Sequence, residues 1–176
     1  MAKFALVAMS MLSLAAMQDE MIDNPEYAGW AGQKVGAWVK FKTEMDAGGM
    51  KMEHSNTTKL KELTAEKAVL DQAIEMDMGG QKRTMNMPRT APAKIKKGTD
   101  SEGFKSEQIA EGDEELEVKG TKIKCHWVEM KVDSKQGPAT IKVWRTDKVI
   151  GGAAKMTIKS DKMSMTMTAV DWKAGE

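Results

Sequence analysis

TKIKCHWVEMKV, Thr121 to Val132, is β-branched and apolar enough to form one long strand. Turn signals bracket it: Lys119-Gly120 before, and Asp133-Ser134-Lys135-Gln136-Gly137-Pro138 after. Its apolar phase shifts midway. Ile123, Cys125 and Trp127 share one face, whereas Val128, Met130 and Val132 share the other. A β-bulge near Trp127 would reconcile the two halves. A central strand of this kind, with hairpin signals on both sides, makes the chain a candidate antiparallel sheet.

Upstream, four alternating segments are joined by short polar or glycine-rich turns. Lys34 to Met45 puts Val35, Ala37, Val39, Phe41 and Met45 on one face, with Lys40, Lys42 and Glu44 opposite. Met50 to Leu63 carries Met52, His54 and Asn56 on one side. Ala68 to Met78 turns Ala68, Leu70, Ile74, Met76 and Met78 inward, and Gln81 to Met87 completes the set. Pro88 to Gly98 holds two prolines and the cluster Lys94, Lys96 and Lys97, and reads as a loop with solvated charges. Ser101 to Ala110 reads as a short helix, and the acidic run Glu111 to Glu117 leads into a strand ending at Val118. Downstream, Ala139 to Arg145 is a strand and Val149-Ile150-Gly151-Gly152 a turn or crossover. Lys155 to Ser160 and Lys162 to Trp172 make a last hairpin. Near the start, Asn24 can cap a helical turn whose first residue is Pro25, with Tyr27 and Trp30 as anchors. The fold expected is mainly β: a curled antiparallel sheet, half-barrel or barrel, of about eight strands with one or two short helices.

The first 16 residues read as a signal peptide: Lys3, then the apolar run Phe4 to Leu14, then small residues, with Asp19-Glu20 beyond. The run is too short for a stable membrane anchor. Residues 17–33 are then an N-terminal segment and 34–176 a single antiparallel domain in a protein exported to the periplasm or exterior. Removing the signal takes one lysine and no acid from 27 basic and 26 acidic residues, so the mature charge balances. That argues against a nucleic-acid partner, and nothing later in the chain is apolar enough for stable membrane insertion. The single cysteine leaves no internal disulfide. Oligomeric state is not set by these features.

Catalytic constellations are missing from the sequence. Cys125 and His126 are neighbours, but consecutive strand residues point to opposite faces and cannot act as a dyad. Cys125, between Ile123 and Trp127, reads as a small core residue. No catalytic residue, cofactor or metal ligand is assigned, and the chain is not read as an enzyme. The unusual feature is its 17 methionines, nine of them in the groups Met50/Met52, Met76/Met78, Met85/Met87 and Met163/Met165/Met167. Thioethers can fill an irregular core or line an adaptable cavity. They are also soft ligands for Cu(I) or Ag(I), and His54 lies two positions from Met52. Met1, Met9 and Met11 fall in the signal segment, where no site can form, which favours packing over metal. An envelope protein with no small ligand is a further alternative. The ligand-binding face is assigned to Val39, Phe41, Ile74, Met76, Met165 and Met167, with Phe104 near its mouth. The partner expected there is an apolar small molecule or lipid, such as an acyl chain.

The segments GDEELEVKGTKIKCHWVEMKV and IKVWRTDKVIGGAAKM, and the opening EYAGWAGQKVGAWVKFKTEM, resemble a layout found in uncharacterised exported bacterial proteins. Such proteins are similar in architecture to the outer-membrane lipoprotein carrier and related lipid-binding half-barrels. The resemblance implies a curved antiparallel sheet with a hydrophobic concave face. Its motifs are structural, so no site residue carries over. This chain departs from the pattern in having few inward aromatics and many methionines.

Overall fold

A computed structural model of the chain describes residues 21–78, 81–96, 105–134 and 137–176. In order the elements are β1 (Met21–Asp23), α1 (Pro25–Trp30), β2 (Trp38–Ala47), β3 (Met50–Leu63), β4 (Lys67–Met78) and β5 (Gln81–Pro92). There follow β6 (Lys94–Lys96), β7 (Lys105–Val118), β8 (Thr121–Ser134), β9 (Gly137–Arg145), β10 (Ala153–Ser160) and β11 (Met163–Lys173). Tight turns fold the hairpins. Lys119 and Gly120 both take positive φ, 54° and 72°, between the paired ends Val118 and Thr121. Gly48 and Gly49 do the same between Ala47 and Met50. Two positive φ values give the turn whose twist matches that of the strands it joins.

Two antiparallel meanders form one nine-stranded sheet in the order β5-β4-β3-β2-β11-β10-β9-β8-β7. The first and last strands of this sheet meet in its middle, where β11 pairs with β2. The sheet is mainly β as expected, with one more strand than the estimate. A separate two-stranded sheet pairs β1 with β6. The sheet does not close, because β5 and β7 remain edges. Charge blunts both edges: Lys82, Arg83 and Arg89 on β5, and Glu107, Glu111, Glu115 and Glu117 on β7. At one end the sheet bends on itself. Lys119 pairs with Asp171 and lies 5.1 Å from the Trp172 ring centre. In a flat sheet β8 and β11 stand about 14 Å apart, too far for these side chains to meet.

Four expectations are corrected. Pro88 to Gly98 is not a loop throughout: β5 runs to Pro92 and β6 takes Lys94–Lys96. β5 is an edge strand, where a proline's missing N–H leaves no ladder bond unmade. Ser101 to Ala110 is not a helix where described; from Lys105 it is the start of β7, held by pairing with β8. Backbone pairing along a long partner outweighs a weak local helix preference. Val35 is 55% exposed and precedes β2. Finally, β8 has no bulge near Trp127. It pairs with β9 without a register shift, and the irregularity lies in β7, between Gln108 and Ala110. The strand instead buries opposite faces at its two ends, Ile123 and Cys125 at one and Val132 at the other.

The core gathers at the α1 end. Asn24 caps the helix, its side chain accepting from the Glu26 N–H at 3.0 Å while Nδ2 donates to the Pro92 carbonyl. Pro25 opens the helix. Trp30 is buried and the Tyr27 hydroxyl donates to the Thr64 carbonyl at 2.7 Å, so both anchors hold. Beneath lie Ala37, Val39, Leu60, Leu70 and Ala91, with Val149 and Ile150 from the turn before β10.

Candidate functional site

Strand register assigns side chains to faces, because residues directly opposite in antiparallel strands share a face. One row runs Met52, Met45, Met165, Ile158, Ile141 and Met130 across β3, β2, β11, β10, β9 and β8. The adjacent row runs Met76, His54, Thr43, Met167, Met156, Val143 and Val128. A third places Met85, Ile74, Asn56, Phe41 and Ala169 side by side. The result is a methionine-rich belt on one face of the sheet.

Six of the assigned ligand residues lie on this face. Val39 and Phe41 are buried under the core at its α1 end, and Ile74, Met76, Met165 and Met167 are half-buried. Val39 pairs with Trp172 and Thr58, which continues the face toward the helix. Phe104 lies outside the described residues. The register adds residues that strand-by-strand reading did not connect: Met45, Met52, His54, Met156, Ile158 and Ile141. Alternation marked their faces, but only cross-strand pairing puts those faces together.

The polar exception is Asn56. Its Oδ1 is buried without a hydrogen-bond partner among the described residues. Leaving such an atom unsatisfied costs about 1–3 kcal/mol, which a ligand donor would recover.

The opposite face is ionic near β2 and β3. Lys42 bridges Glu44 and Glu53, each at 2.9 Å, and these carboxylates hold its ammonium above the usual lysine range. Lys40 pairs with Glu75 at 3.0 Å. A groove of about 430 Å³ here is lined mainly by Glu44, Asp46, Lys51, Glu53, Ser164 and Thr166. Toward β9, Lys142 sits 3.6 Å from the Trp127 ring centre and 4.7 Å from that of Trp144. The Trp144 indole donates to Glu114 at 2.8 Å. Cys125 is buried beside Glu114, and burial first, then that carboxylate's charge, pushes its thiol up. His126 is on the other face, with Nδ1 3.1 Å from Asp113.

No family model and no curated protein matches this chain. Solved structures do, at low identity. One is described as an exported protein with a YmcC-like fold from Bacteroides fragilis: 7% identity, 80% of this chain, 97% of that one, TM-score 0.48. A second is described as a lipoprotein from Parabacteroides distasonis: 10% identity, 80% and 96% coverage, TM-score 0.45. A third is described as an outer membrane lipoprotein-sorting protein domain from Vibrio parahaemolyticus: 8% identity, 86% and 92% coverage, TM-score 0.39.

Proposed function

We propose that the protein is an exported, non-enzymatic binding protein that holds an apolar ligand, an acyl chain or lipid, along the methionine belt. The observation that carries this reading is the row Met52, Met45, Met165, Ile158, Ile141 and Met130, apolar across six adjacent strands. Six strands span about 24 Å, longer than the ~15 Å that acyl chains fill in one bilayer leaflet. The described cover on this face, α1 and the turn before β10, sits at one end. Methionine suits such a surface because its flexible, polarizable chain adapts to a disordered hydrocarbon. The placing of Cys125 and His126 on opposite faces supports a role without catalysis.

The test is native mass spectrometry of the full chain expressed with its N-terminal segment and purified from the cell envelope without detergent. A retained adduct of fatty-acid or phospholipid mass is expected. Met45→Asp with Met165→Asp, which sets charge in the middle of the belt, should release it. A bare mass, together with no uptake of a fluorescent fatty acid in solution, would remove the reading.

A further inference from the structure

The belt rows hold one imidazole, His54, and the register places sulfur beside it. Met76 lies directly opposite His54 on β4. Met52 lies two residues along β3 on the same face. Opposite residues in such a sheet have Cβ atoms about 4.5–5.5 Å apart, and diagonal ones about 7–8 Å. A methionine side chain, unbranched with three rotatable bonds, crosses those gaps. Two thioethers, those of Met52 and Met76, and the His54 imidazole can therefore converge on a single ion above the sheet.

The two histidines differ in their surroundings. His126 sits between carboxylates, Nδ1 3.1 Å from Asp113 and Nε2 3.8 Å from Glu111. Among the described residues, none gives His54 a hydrogen bond or an ion pair. Its neighbours across the strands are Met76 and Thr43. Met52 is 42% exposed, so the cluster opens to solvent. Among the described residues no group of three or more His, Cys, Asp or Glu comes together. The donors of this cluster are uncharged and soft, a set that suits a monovalent soft ion and suits Ca²⁺ or Mg²⁺ poorly.

We propose that His54, Met52 and Met76 form a binding site for Cu(I), or its analogue Ag(I), on the β3–β4 part of the belt. The site shares Met52 with the row proposed to hold the apolar ligand, and it does not require that ligand to be bound. It uses three side chains at one end of a face that extends across eight strands.

The experiment is anaerobic titration of the full chain with Cu(I) against the colorimetric chelator bicinchoninate. Transfer of one Cu(I) per chain is expected, with X-ray absorption showing both sulfur and imidazole nitrogen around the metal. Met52→Leu with Met76→Leu keeps volume and apolarity while removing two donors. That variant should lose more than about tenfold in affinity, since even a supporting group around a metal ligand is worth about 10–100-fold. Met156→Leu, three strands away from β3 on the same face, should bind as wild type does. Melting temperatures check that each variant folds. If the double variant melts early, His54→Gln provides the same comparison. If the chelator keeps all the Cu(I), or if the double variant and His54→Gln bind as tightly as Met156→Leu, the site is not there.

Discussion

Replacing Gly29 with alanine tests the contact that clamps α1 onto the sheet. An alanine Cβ at this position would lie 2.3 Å from the Gly151 carbonyl oxygen and 2.5 Å from its carbon. Ordinary contact begins at 3.4 Å, so helix and turn must part by about 1 Å. Both obstructing atoms are backbone and cannot swing aside. Three effects compete. Alanine gains about 1 kcal/mol of helix propensity over glycine. Overpacking costs about 1–3 kcal/mol, and the bond from the Gly151 N–H to the Gly29 carbonyl is worth about 1 more. That bond is 3.2 Å long and is lost when the two segments separate. The net expectation is a loss of about 1–3 kcal/mol. Trp30, Val149 and Ile150, all buried around this contact, transmit the displacement to the core. Urea unfolding followed by tryptophan fluorescence measures it. Gly32→Ala is the control, since nothing lies within 4 Å of its added methyl; it should change stability by no more than about 0.5 kcal/mol. A Gly29→Ala protein as stable as wild type would show that α1 is not held against the turn.

Two further predictions concern titrating groups. Cys125→Ser should cost about 1–3 kcal/mol, because it buries a hydroxyl in place of a weakly polar thiol. The folded state holds the thiol's proton more tightly than the unfolded state does, so stability should fall as pH rises past about 8.5, the unfolded thiol value. Rapid labelling by a thiol reagent without denaturant would contradict its burial. The Lys119 ammonium, hydrogen-bonded to Asp171, holds that carboxyl below the usual carboxylate range. Its contribution to stability is therefore present above that range and lost as pH falls through the depressed value. An NMR titration should show the Asp171 midpoint moving up in Lys119→Met; an unmoved midpoint would mean that the hairpin tip does not reach β11.

Much of the fold was legible in residue order because its causes are local. Alternation with period two defines a strand's faces whatever its partner, so Val39 and Phe41 on one face of β2, and Lys40 and Lys42 on the other, could be read directly. Asn24-Pro25, Gly48-Gly49 and Lys119-Gly120 mark turns and caps through backbone preferences of their own. Burial of Cys125 followed from its place between Ile123 and Trp127.

Long-range pairing decided the rest. Whether Lys105 to Ala110 is helix or strand depends on β8 being there to pair with, and the local signal was too weak to say so. Pro88 is tolerated in a strand only because β5 is an edge, which is a property of the whole sheet order. The phase shift in β8 needed no bulge, because the two ends of one strand meet different surroundings. The belt itself depends on register: a slip of one residue between β2 and β11 would turn Met163, Met165 and Met167 to the ionic face. Sequence determined which side chains share a face within each strand. Only the pairing of β11 with β2, segments more than a hundred positions apart in the chain, made those faces one surface.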